Sequence, residues 1–146
     1  MELVSAIVGV VIGFVLGIVA QVWFLSLSQR FSALDEHVRD ILEARDLAVS
    51  HWGRSSKAAD EKEMIAKVRG AMFAVTGFLD QADKILGSHN QHYPEMLTTF
   101  FNLATGGDFE SKDRAKDPER IGQLFVCAAQ LRLHVRSART VLPFYK

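Results

Sequence analysis

Between Leu3 and Leu27 the chain reads LVSAIVGVVIGFVLGIVAQVWFLSL, without one charged residue. As an α-helix this run extends roughly 37 Å at about 1.5 Å per residue, enough to cross a hydrocarbon core of about 30 Å with some tilt. A cleaved signal peptide is not expected. No basic residue precedes the apolar run, the run is too long, and no small-x-small site follows it. Nor does its length suit the core helix of a soluble protein. The expected division is therefore a transmembrane anchor over residues 1–28 and a helical domain over residues 29–146.

The rest of the composition narrows the function classes. Of 146 residues, 17 are basic and 17 acidic, so the net charge is zero and no global field favours nucleic acid. Glu2 is the only charged residue before position 29. A single cysteine, Cys127, excludes an intramolecular disulfide; it lies in an apolar run and is expected as a buried, inert thiol. About 115 residues follow the anchor, enough for one small domain with its own core.

Within the anchor, Gly9, Gly13 and Gly17 recur every fourth residue, and Ser5 and Gln21 extend the series at both ends. Lipid supplies no hydrophobic drive between helices, so close backbone approach along small residues and polar contacts govern association. The opposite face, with Ile7, Val11, Phe14, Ile18, Val22 and Leu25, suits lipid tails. Gln21 is costly facing lipid and is expected to face partner helices or water. Trp23 fits the headgroup level. Arg30, Arg39 and Arg45 follow the span and no basic side chain precedes it, which places the C-terminal domain in the cytosol and the N-terminus outside, in the cytoplasmic (inner) membrane.

The remaining periodicity is helical throughout. Phe31, Leu34, Val38, Ile41, Leu42, Ala48, Val49 and Trp52 continue the first helix to a stop at Gly53. Only a slight kink at Ser26–Ser28 would interrupt that rod. A second helix, capped by Ser56 or Asp60, runs to Leu86 and ends at Gly87. Its small residues Gly70, Ala71, Ala74 and Gly77 fit either a close helix crossing or an exposed face. Ser88–Tyr93 reads as a polar loop. Pro94 opens a short third helix that Gly106–Gly107 stops. The charged segment Asp108–Asp117 reads as the most solvated and mobile part. Asp117–Pro118–Glu119 starts a fourth helix, expected to reach Val141 and to end at Pro143. The expected fold is all-α, a single N-terminal transmembrane helix continuous with a cytosolic antiparallel four-helix bundle.

In that arrangement the Ser88–Tyr93 loop and the C-terminus lie near the bilayer. Arg132, Arg136 and Arg139 form a basic stripe there, followed by Phe144, Tyr145 and Lys146, a set suited to anionic headgroups. Pairing with the helix dipole and with acids on neighbouring helices accounts for the same arginines.

Chemistry-bearing patterns are sparse. His89 and His92 lack a third ligand, so no metal site is expected, and no cofactor motif occurs. Two segments, RFSALDEH from Arg30 to His37 and RDLAVSH from Arg45 to His51, place six and five residues between an arginine and a histidine. This resembles the signature of HEPN ribonucleases, small helical bundles that act as dimers. The resemblance implies that Arg30 with His37, or Arg45 with His51, positions and protonates a scissile phosphate. It covers these short spans only, and that family usually carries the pair on a late helix rather than the first.

The sequence thus leads to a single-pass, non-enzymatic membrane protein that self-associates through a glycine-rich face, with membrane lipid, further copies of itself and a cytosolic protein as partners. One alternative is an oligomeric pore-forming effector gated by the cytosolic bundle. A further one is a HEPN-like membrane-anchored ribonuclease or an inactive relative.

Overall fold

The computed structural model describes the backbone of residues 2–140 and the side chains of residues 7–139. Every element among them is helical: α1 (Glu2–Gly53), α2 (Glu61–Gly77), α3 (Leu79–Leu86), α4 (Tyr93–Thr105) and α5 (Pro118–Ser137), with 3₁₀ turns at Gly87–Gln91 and Ala138–Thr140. Leu142, Pro143, Phe144, Tyr145 and Lys146 lie outside the described residues. The chain divides into two compact units, Met1–Ala33 and Leu34–Lys146.

The first unit is the apolar part of α1. Helix α1 is assigned without a break through Ser26–Ser28 and ends at Gly53. It contains a window long and apolar enough to cross a membrane, none of which is buried within the protein.

The second unit holds the core. From α1 it takes Leu34, Val38, Ile41, Ala44, Ala48 and Trp52, the three-and-four spacing of one helix face. Met64, Val68, Met72 and Val75 come from α2, Tyr93, Leu97, Phe100 and Ala104 from α4, and Leu124, Cys127, Ala128, Leu131 and Val135 from α5. Each fully buried large aliphatic or aromatic side chain contributes about 1.5–3 kcal/mol.

Local chemistry sets the helix ends. Asp117 caps α5 by accepting from the Arg120 amide at 2.9 Å, with Pro118 in the first turn. Helix α4 ends where a Cβ on Gly106 would stand 2.4 Å from the Asn102 carbonyl oxygen, and Gly107 follows at φ 63°. Asp60 precedes α2 without a capping bond of its own; its carboxylate instead accepts from Arg54 Nη1 at 2.8 Å.

Several expectations are corrected. The single helix expected up to Leu86 is broken at Gly77–Phe78. Glycine weakens the helix there, and the Thr76 hydroxyl bonds back to the Phe73 carbonyl at 3.1 Å. Of the two alternatives open for Gly70 and Gly77, the exposed face is the one observed, with nothing within 4 Å of a Cβ at either. The segment 88–93 is not a plain polar loop. Most of it forms a 3₁₀ turn, and Tyr93 opens α4 fully buried. Asp108–Asp117 is not the most solvated segment, because Phe109 and Arg114 within it are buried.

Candidate functional site

The glycine face of α1 is open. Nothing stands within 4 Å of a Cβ built on Gly9, Gly13 or Gly17, and Gln21 is exposed. The Ser5 side chain lies outside the description. Large apolar side chains surround the remainder of this segment, with Val10, Phe14, Leu16, Val22 and Phe24 exposed. A helix that presents almost nothing but apolar groups on every side has no favourable solvent in water.

The basic stripe is divided among different environments. Arg139 is ion-paired with Asp35, as the pairing account of these arginines has it. Arg136 is exposed and Arg132 half-buried, its Nε without a hydrogen-bond partner. Phe144, Tyr145 and Lys146 are outside the described residues.

The histidines of the HEPN-like pairs face inward. His37 is 2% exposed; its Nε2 shares a hydrogen bond with the Tyr93 hydroxyl, and its ring stacks on Phe78 with centroids 3.8 Å apart. Burial lowers its pKa to about 4, so the ring is neutral near pH 7. His51 is 0% exposed and donates from Nε2 to the Phe109 carbonyl at 3.0 Å. Its pKa is also lowered to about 4, first by burial and then by the Arg114 charge. Arg45 is engaged by Asp46 at 2.7 Å and lies over the Phe125 ring, and Arg30 belongs to the first unit. Both imidazoles are thus buried and engaged within the second unit rather than exposed to a phosphate in solvent.

Around His51 the chain builds a cluster that the sequence reading did not anticipate. Arg114 is 4% exposed and donates to the His51 carbonyl and to Glu61 Oε1, both at 2.7 Å. The Trp52 indole donates to the Ala104 carbonyl at 3.0 Å, and its own carbonyl accepts from the Asp117 amide at 3.2 Å. Two guanidiniums flank that indole, Arg120 at 4.1 Å and Arg114 at 5.3 Å from the ring centroid. Arg120 also donates to the Gly106 carbonyl at 2.7 Å. One cluster thus fastens the end of α1 to the starts of α2 and α5, the end of α4 and the 108–117 segment. A phenylalanine inside a charged run, and an arginine three residues before a helix cap, were its only traces in sequence.

A second histidine site joins the 3₁₀ turn to α5. His134 Nε2 donates to the His89 carbonyl at 2.6 Å, and Ser137 Oγ lies 3.3 Å from His89 Nδ1. His89 is therefore half-buried rather than fully solvated, whereas His92 is exposed. Cys127 is buried, and burial raises its pKa, as expected of an inert thiol. No group of histidine, cysteine and carboxylate side chains with metal-binding geometry occurs among the described residues.

Comparison with protein-family models, with curated proteins and with solved structures gave no match for this chain.

Proposed function

We propose that this chain is a single-pass protein of the cytoplasmic membrane, N-terminus outside, which self-associates through its glycine face and displays a cytosolic helical interaction module. The observation that carries the reading is the first unit itself. Its residues 3–27 carry no charge in a helix long enough to span, and residues 7–22 are exposed throughout and open at Gly9, Gly13 and Gly17. Arginines confined to its C-terminal side support the orientation. The module is read as an antiparallel four-helix bundle of the end of α1, the α2–α3 pair, α4 and α5. Alternating contacts support this: His37 meets Phe78 and Tyr93, whereas Trp52 meets Ala104 and Asp117.

Carbonate extraction and single-cysteine labelling test insertion and orientation together. In a Cys127→Ala chain, Glu2→Cys should react with an impermeant maleimide added outside intact cells. Lys112→Cys should react only after the membrane is opened. Release by carbonate, or the reverse labelling, refutes the proposal.

A pore remains a second reading, favoured by one observation: the exposed amide of Gln21 continues the glycine series. Reconstituted protein would then leak ions, and Gln21→Leu would alter the conductance. Vesicles that stay sealed at high protein density dispose of this reading.

A further inference from the structure

Helices α2 and α4 and the 108–117 segment leave a groove of about 320 Å³, lined by Arg69, Met72, Phe73, Thr76, Phe101, Thr105, Phe109 and Glu110. Its walls are more apolar than its composition. The Thr76 hydroxyl is spent on the Phe73 carbonyl and the Thr105 hydroxyl on the Phe101 carbonyl, at 3.1 and 2.9 Å. Both threonines therefore add methyl groups to the surface without free donors. Phe73 stands at the edge 79% exposed, more than any other described large hydrophobic side chain, and Phe101 is 42% exposed. Both aromatics belong to the second unit and not to the apolar run of residues 3–27, so a bilayer-spanning role does not account for them.

We propose that this face is a contact between two copies of the chain, with Phe73 of each seated in the groove of the other. An interface with two-fold symmetry requires one patch to carry both halves of every interaction. This patch does so twice. It holds a projecting ring beside a cavity of sufficient size, since a dry cavity of about 150 Å³ already holds a benzene molecule. It also holds one charge of each sign, Arg69 and Glu110, which pair with each other at the groove mouth and are both more than half exposed. Around a two-fold axis Arg69 of one copy can exchange to Glu110 of its partner with no net charge brought together. A partner of single-sign charge would meet one like charge at that mouth, which disfavours it. The patch is small against the roughly 800 Å² per partner of stable soluble complexes. It suits copies already concentrated in one bilayer, where a weak contact becomes effectively intramolecular. In that respect the proposal rests on the membrane reading above.

The test uses the full chain in lipid vesicles, with Phe73 replaced by the photoreactive analogue p-benzoylphenylalanine. Vesicle flotation first establishes that the protein is membrane-bound; protein left at the bottom of the gradient refutes the anchor and not the groove. Illumination of floated protein should give a covalent dimer whose adduct maps to residues 97–110. No dimer, or an adduct elsewhere, overturns the proposal. Charge exchange separates the contact between chains from the pair within one. Arg69→Glu alone and Glu110→Arg alone each place like charges across the two-fold and should lower the dimer yield about tenfold. Mixed in equal amounts, the two variants are complementary across chains only, and the yield should recover. Yield that stays low in the mixture, with helicity unchanged by circular dichroism, also overturns it. Anchor variants at Gly13 are scored separately, so failure of the glycine face does not read as failure here.

Discussion

Replacing Arg114 by methionine should destabilise the second unit by about 3 kcal/mol near pH 7.5, and by clearly less near pH 5. Methionine keeps most of the volume against Trp52 but removes both 2.7 Å bonds, to the His51 carbonyl and to Glu61. Breaking a buried pair by deleting one partner costs about 3–5 kcal/mol; the lower end applies because the Glu61 side chain retains 13% exposure. The pH dependence follows from His51. In the native protein its pKa is held at about 4 against an ordinary value near 6.5, so the unfolded chain binds the proton more readily. This contribution is fully present above pH 6.5 and is lost as pH falls towards 4, at most about 3 kcal/mol for the ring. Without Arg114, the Glu61 carboxylate 3.5 Å from His51 Nδ1 is unopposed and favours the protonated ring. Acid then restores a pair that the substitution removed. Urea unfolding followed by Trp52 fluorescence in a Trp23→Phe background, at pH 7.5 and pH 5, measures both terms. A loss below about 0.5 kcal/mol, or the same loss at both pH values, refutes the reasoning.

Three further outcomes are expected. Tyr93→Phe removes the one hydrogen-bond partner that the His37 ring has among the described residues and should cost about 1–3 kcal/mol by the same assay. Asp117→Ala deletes the α5 cap and should cost about 1 kcal/mol, with Asp117→Asn recovering most of it. Because burial holds His37 and His51 both at about 4, wild-type stability should fall between pH 6.5 and pH 4; His37→Leu should flatten that slope, and an unchanged slope would remove His37 from the account.

Much of the chain was legible from spacing alone. Helix periodicity located the buried face of α1 at Leu34, Val38, Ile41, Ala48 and Trp52, because an apolar stripe needs no knowledge of its partner. Asp117–Pro118 and Gly106–Gly107 marked helix ends through local backbone chemistry, which sequence states directly. What could not be read depended on distant residues. Arg114 and Phe109 looked solvated because their neighbours are charged, yet their partners His51, Trp52 and Glu61 lie more than fifty positions away. His37 and His51 looked like an arginine–histidine chemistry for the same reason; only the packing of Phe78, Tyr93 and Phe109 around them establishes burial. The Gly77–Phe78 break was hidden because the buried stripe runs on through it, from Val75 to Phe78 and Ala82.

The central claim is that the charge-free helix is both anchor and assembly surface. Energy transfer between donor- and acceptor-labelled full-length chains in vesicles, measured as lipid is added to dilute the protein, tests it most directly. The account predicts transfer that persists well beyond the random-mixing value for the wild type and falls to that value for Gly13→Leu, where a side chain fills the open face. Equal transfer in both proteins at every dilution would contradict it.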